Sequence, residues 1–345
     1  MNSSLVDDDS SKTLNSQFAS RSAFRVVIET LVHFAIVVVG TLGNSLVIWI
    51  VFKNKNSAKL ANLFIGALAV SDFLILVLTG WTFLSTLVLG TWPFSDFVCQ
   101  YQGFTGFGLA CASLFLITQT SINRYFKVVC TKHYRSIYTP KRTKAIIIGT
   151  TLLSFLGPSQ YLANGGRYIF HSGKYYCFQK FELTASTSWY LYGIFVPTAV
   201  ITFCYYKIFR TIRLHQSRIK AMRQNAGSII GPNVEDIKAT RTLFLTVVGF
   251  LCCWTPVIVI DIVDFARIPS SHSRSSPTDV QQFSTLPREL YVLYTLLATL
   301  SSSINPFIYG AMNNQFRQEY RKVLCVGRAT RSTEVEVIRT TTNPI

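Results

Sequence analysis

The chain has 345 residues, 49% of them hydrophobic and only 14% charged, with a formal charge of +17. A soluble domain of this length would not gather its apolar residues into runs long enough to cross a bilayer. The positive charge raises nucleic acid as a partner, but the basic residues cluster on one side of a membrane topology, which argues against it.

Seven runs reach or approach spanning length: 26–52, 60–89, 97–129, 145–162, 189–212, 240–263 and 290–311. The segments between them carry Gly, Pro and charge and read as loops. The expected class is an all-α membrane protein, a seven-helix bundle. Residues 1–25 form a polar outer tail containing Asp7, Asp8 and Asp9. No apolar core there precedes a small-residue cleavage site, so the first span acts as the membrane signal. Asn2-Ser3-Ser4 is a glycosylation acceptor, though such triplets also arise by chance. With the N-terminus outside, the inner segments hold 24 of the 33 Lys and Arg and five acids; the outer segments hold nine and ten. That asymmetry places the C-terminus in the cytoplasm and favours anionic inner-leaflet lipid and acidic cytosolic partners.

Asn44, midway along the first span, reads as glue between helices. Asp72 lies mid-span in the second. A carboxyl there either packs helices as a hydrogen-bonded acid or, with Ser113, Ser302 and Asn305, holds a small hard cation such as sodium. Among eight cysteines, Cys99 and Cys177 stand in outer positions, where a bond would tie the loop after span four over the third helix. Asn123-Arg124-Tyr125 ends the third span. Arg124 either snorkels to the interface or pairs with Asp236 at the start of the sixth. Pro197 kinks the fifth span, with Tyr205 two turns deeper, and Pro256 kinks the sixth just past Trp254. In the seventh, Pro306 of Asn305-Pro306-Phe307-Ile308-Tyr309 breaks the helix, and Asn305 with Ser301, Ser302 and Ser303 can satisfy the freed carbonyls.

These motifs, in this order and each in its own span, resemble the rhodopsin-like, class A G-protein-coupled receptors over residues 25–325. The resemblance implies a receptor and not an enzyme: a plasma-membrane protein that binds an extracellular ligand and activates a heterotrimeric G protein. It implies a sodium site at Asp72, Ser113, Ser302 and Asn305. It makes Trp254 a toggle and Pro197, Leu114 and Phe250 a connector below the ligand. Arg124, Tyr205 and Tyr309 become the set that rearranges when the G protein enters. It also implies a receptor domain at 26–312, a short interfacial eighth helix at 313–325 and a cytoplasmic tail at 326–345. Cys325 becomes a palmitoylation candidate. Thr330, Ser332, Thr333 and Thr340–Thr342 become candidate targets for receptor kinases, and arrestin a further partner.

Asn123 in place of the usual aspartate, together with Tyr309-Gly310 and Phe316-Arg317, is similar to the melatonin receptors. The intact Cys253–Pro256 and Asn305-Pro306 follow the general family instead, and Tyr161 replaces their ligand asparagine. Thr151 and Lys132 depart from the family's fourth-helix tryptophan and apolar second-loop residue. Gly106 stands where amine receptors carry an aspartate, and Thr299 where opsins carry the retinal lysine. No Schiff base can form, and no further cofactor is expected. The expected lining is Phe107, Ala110, Trp189, Tyr190, Trp254, Ile258, Tyr291 and Thr295, which suits a small neutral or weakly polar ligand. Asp261 and Asp264, near the outer end of the sixth span, either receive a basic group or stand on a solvated rim. A peptide receptor, a lysine-less opsin relative and, more remotely, a transporter are the alternatives. A transporter would show paired discontinuous helices or several intramembrane charges.

Overall fold

The computed structural model describes residues 22–53, 60–179, 185–222, 234–267, 286–314 and 316–323. Within these, the side chains of 185–191, 216–222, 234–238, 265 and 267 are not described. Helices α1 (Ala23–Lys53), α2 (Leu60–Leu89) and α3 (Asp96–Val128) form the first three spans. A short α4 (Thr131–Ile137) lies in the loop between the third and fourth spans, and α5 (Pro140–Ser154) with α6 (Leu156–Ala163) makes the fourth span. A hairpin of β1 (Tyr168–His171) and β2 (Tyr176–Gln179) precedes α7 (Ala185–Met222) and α8 (Val234–Arg267). The seventh span is α9 (Arg288–Ser303) followed by α10 (Asn305–Met312), and residues 316–323 form a last helical stretch, α11.

Among the described residues, six helical stretches are long and apolar enough to cross a membrane. The seventh is interrupted at Ile304, which splits the expected 290–311 run into helices of 16 and eight residues. Pro306 causes the break, because it has no N–H for the Ser302 carbonyl. Asn44 supplies the missing donor: its Nδ2 lies 2.9 Å from Ser302 O and 2.9 Å from Gly40 O. The sequence had pointed to Asn305 and the serines for this task. Asn305 instead turns its amide to Asp72, and the Ser303 hydroxyl donates to Thr299 O and to Ile36 O on α1. Close approach makes these bonds reachable, for a Cβ on Gly40 would fall 2.2 Å from Ser303 Oγ.

The fourth span also breaks, at Phe155, where Pro158 leaves the Ser154 carbonyl without its helical donor. Its inner end is capped by Thr139, which accepts from Arg142 N with Pro140 in the first turn. Large apolar side chains such as Phe24, Phe52, Leu152 and Phe307 are exposed around the outside, as a lipid solvent requires. The central core is built from α2, α3, α7 and α8, with Leu68, Leu114, Ile117, Ile201, Ile208 and Phe250 buried together.

On the outer face, β1 and β2 pair antiparallel, with Phe170 opposite Cys177. Cys177 is disulfide-bonded to Cys99 at the top of α3, with the two Cα atoms 5.4 Å apart. The hairpin turn points into the bundle. Tyr175 is fully buried at φ 57°, a conformation that costs a non-glycine residue free energy. Thr86 Oγ1 donates to its carbonyl at 2.6 Å and Arg288 Nε to its hydroxyl at 3.1 Å. Arg288 also pairs with Glu29, so the turn is gripped by the first, second and seventh spans.

Candidate functional site

A cavity of about 190 Å³ lies below the hairpin, between α2, α3, α7, α8 and α9. It exceeds the 150 Å³ cavity that admits benzene in an engineered core and falls short of pockets for drug-sized ligands. Among the described residues its wall carries no charged side chain. Phe107, Ala110, Trp254, Ile258 and Thr295 line it as expected, as do Gly106 and Thr299. The side chains of Trp189 and Tyr190 lie outside the described residues. The roof is β2, with Tyr176, Cys177, Phe178 and Gln179 facing the space. Gln102 fixes that roof: its Oε1 accepts from Cys177 N at 2.8 Å and its Nε2 donates to Thr82 Oγ1 at 2.6 Å. Gly103 lets β1 settle on α3, since a Cβ there would fall 2.2 Å from the Tyr168 ring.

Two expected lining residues do not line this cavity. Tyr291 is fully buried and donates its hydroxyl to Asp264 Oδ1 at 2.7 Å, which turns it outward. Asp261 is likewise buried and accepts from Tyr294 at 3.2 Å and from Lys174 Nζ at 2.8 Å. The solvated rim expected of Asp261 and Asp264 is therefore a buried ionic cluster. Its basic group comes from the chain's own hairpin turn. Lys174 also lies 3.6 Å from Asp264, and His171 Nε2 approaches Asp264 at 3.5 Å. Lys174 N donates to His171 Nδ1, so the neutral ring carries its proton on Nε2, facing the carboxylate. Burial pushes His171 down to about 4, against the opposing pull of Asp264 and with the help of Lys174. Lys174 and Tyr294 were not anticipated, and the absence of acid between Asp96 and Glu182 offered no local partner that could have flagged the lysine.

Beneath the cavity, Trp254 Nε1 donates to Ser301 Oγ at 3.1 Å and stacks on Phe250 with centroids 5.7 Å apart. Phe250 packs with Leu114 and Ile201, and Pro197, inside the continuous α7, is buried one turn above Ile201. These contacts run from the cavity floor to the core beside the Pro256 kink.

Asp72 is 1% exposed at mid-bundle. Ser113 Oγ donates to its Oδ1 at 2.9 Å and Asn305 Nδ2 to its Oδ2 at 2.8 Å, with Ser302 alongside. Ser71 Oγ lies 3.2 Å from Ser113 Oγ. Among the described residues, Asn305 Oδ1 and Asn44 Oδ1 are buried with no hydrogen-bond partner. A carboxylate, hydroxyls and a spare amide oxygen are the donor set of a hard monovalent cation, so these residues fit sodium.

At the inner end, Arg124 is 3% exposed, which excludes snorkelling. Its proposed partner Asp236 has an undescribed side chain. Asn123 is buried, and its amide meets no partner among the described residues, while the Tyr205 hydroxyl lies beside Ser121 and that of Tyr309 beside Thr246. Tyr125 meets Phe126 edge to face and Phe203 at a tilt. Tyr309 packs on Phe316 of α11 at 5.7 Å, and Tyr320 donates to Pro306 O at 3.1 Å, which docks α11 onto the broken seventh span. Thr151 bonds its own helix at Ile147 O, and Lys132 is exposed on α4. Asn2, Cys325 and the tail hydroxyls lie outside the described residues.

Residues 43–309 match the 7 transmembrane receptor (rhodopsin family). The chain is 30% identical over 307 residues to melatonin receptor type 1C of Gallus gallus, covering 87% of this chain and 83% of that protein. It is 27% identical over 336 residues to somatostatin receptor type 5 of Rattus norvegicus, covering 90% and 81%. The crystal structure of squid rhodopsin superposes with a TM-score of 0.67 at 20% identity, covering 88% of this chain and 83% of that one, a likeness of fold. With the seven-span bundle and these motifs on one chain, the protein belongs to the rhodopsin family of seven-transmembrane receptors: a multi-pass plasma-membrane receptor for an extracellular ligand, and not an enzyme.

Proposed function

We propose that the ligand is a small neutral or weakly polar molecule bound in the cavity above Trp254. The observation that carries this reading is the uncharged, largely aromatic and aliphatic wall of a cavity of about 190 Å³. Gly106 offers no carboxylate for an ammonium, and Thr299 no amine for retinal. The kinship to melatonin receptors makes melatonin one candidate, although Tyr161 spends its hydroxyl on Arg167 O and is not free to replace a ligand-binding amide.

Ligand packed on Trp254 alters its stack on Phe250, and Phe250 passes the change to Leu114 and Ile201. The Pro256 kink then lets α8 swing outward and open the inner end, where Arg124, Tyr205 and Tyr309 meet a heterotrimeric G protein. Asp72, Ser113, Ser302 and Asn305 would hold a sodium ion, whose charge would tie α2, α3 and the seventh span together and so favour the closed state. The excess of basic residues on loops two and three and the tail supports an outer N-terminus and an inner C-terminus. Basic residues on α4 and α11 suit anionic lipid, and the tail hydroxyls suit receptor kinases and then arrestin.

A ligand-library screen in cells carrying several chimeric G proteins tests the reading, with melatonin and short peptides among the arms. Neutral small agonists whose potency collapses in Phe107→Ala and Ile258→Ala support it. Agonists confined to basic peptides, insensitive to both substitutions, would overturn it.

A further inference from the structure

The cavity roof is held in two ways. On one side Cys177 is bonded to Cys99 and to Gln102, which fixes that edge of β2 to α3. On the other side the hold is ionic. Lys174 is 1% exposed, with its ammonium 2.8 Å from Asp261 Oδ1 and 3.6 Å from Asp264 Oδ2. The same ammonium lies 4.2 Å from the Phe178 ring centroid and 5.0 Å from that of Tyr294, and both rings line the cavity. Tyr294 extends the link, since its hydroxyl meets Tyr176 of β2 at 2.9 Å and Asp261 at 3.2 Å. Asp261 and Asp264 stand on α8, about two and three turns outward of Trp254. An ammonium is stable out of water only while its partners stay in place, so this hold is sensitive to small displacements in a way that the disulfide is not.

We propose that Lys174 is a latch on the cavity's aqueous entrance: seated between Asp261 and Asp264 it closes the gap between the hairpin, α8 and α9, and its release opens that gap and frees the outer end of α8. The latch rests on the reading of the cavity as the ligand site and adds how entry to it is controlled. Opening returns the lysine and both carboxylates to water, so solvation offsets part of the lost pairing. The hairpin stays tethered at Cys177 while its turn moves.

Cys111 in the cavity wall is a native reporter. Its labelling would be followed in the full-length receptor at the cell surface by peptide mass spectrometry. Two membrane-impermeant methanethiosulfonates would be used, one bearing trimethylammonium and one sulfonate. Lys174→Met and Asp261→Asn are expected to speed labelling by both reagents about tenfold, the scale of one lost charge-assisted bond. Lys174→Arg should stay near the wild-type rate. Unchanged rates in Lys174→Met and Asp261→Asn would overturn the latch, and so would acceleration by one reagent alone, the cationic one in Lys174→Met or the anionic one in Asp261→Asn, which reports local charge and not an opening. If those variants do not reach the surface, Asp264→Asn takes their place, with about threefold acceleration expected from the more distant partner and no acceleration overturning the latch. Labelling needs neither ligand nor G protein, so the latch can fail alone. The ligand-site reading fails separately if agonists from the screen do not protect Cys111.

Discussion

The two ends of the bundle are finished differently. At the outer end, buried charge is matched: Lys174 with Asp261 and Asp264, Arg288 with Glu29. At the inner end a buried polar group waits: neither the nitrogen nor the oxygen of the Asn123 amide meets a hydrogen-bond partner among the described residues. A matched buried cluster holds one arrangement, because every departure exposes an unpaired charge. Unmatched groups cost stability where they stand and recover it when a partner or a new packing supplies bonds. The outer end is built to stay shut until displaced, and the inner end to be completed by something else.

Several substitutions would sharpen or break that contrast. The largest effect is expected from Arg124→Ala, which should abolish G-protein activation while surface expression persists; undiminished nucleotide exchange would remove the inner end from the mechanism. Acid should next attack the outer end. His171 is held neutral at about 4, below its ordinary 6.5, so the fold is favoured above pH 6.5 and loses that advantage as pH falls toward 4. The loss amounts to about 3 kcal/mol, read as a falling melting temperature of purified receptor that His171→Gln flattens. An equal acid dependence in the variant would mean that another group titrates.

At mid-bundle, sodium should raise the melting temperature relative to choline in the wild type and leave Asp72→Asn indifferent; equal sodium dependence in both would exclude the cation site. Asn44→Ala should cost about 1 kcal/mol, as the Ser302 carbonyl loses its donor, and unaltered thermal stability would show that the bundle repairs the break elsewhere. The smallest effect belongs to Asn123→Asp, which sets a carboxylate beside Arg124. Basal signalling should fall by about two- to fivefold, the scale of one weak ion pair; an unchanged basal level would show that Asn123 does not set the resting state.

The spans were legible because hydropathy over about 20 residues is a strong signal, and the break at Ile304 was legible because Pro306 removes a donor wherever it stands. The donor that compensates was not. Asn44 lies 258 residues from Ser302, and nothing local in either segment announces the pair. The same distance problem hid the outer cluster. Asp261 and Asp264 read as a rim because they stand near the outer end of their span with no basic residue beside them but Arg267, whereas Lys174 arrives from a hairpin 87 residues away. Tyr291 looked like lining because its register faces inward, yet its hydroxyl has a carboxylate to reach and turns from the cavity. The Asp72 constellation was legible as residue types, and the structure brings Ser113, Ser302 and Asn305 to one carboxyl. Periodicity reveals which side a residue faces; it does not reveal which polar group it will find there.

The amide of Asn44 has a consequence for how this chain can change over generations. It donates to a carbonyl that is orphaned only because residue 306 is proline. Replacing Pro306 returns an N–H to that carbonyl and leaves the Asn44 amide competing for an acceptor already served. The two positions are therefore epistatic. Losing Asn44 first is costly, while losing it after Pro306 is cheap, and a lineage that straightens its seventh helix is released from keeping an asparagine in its first.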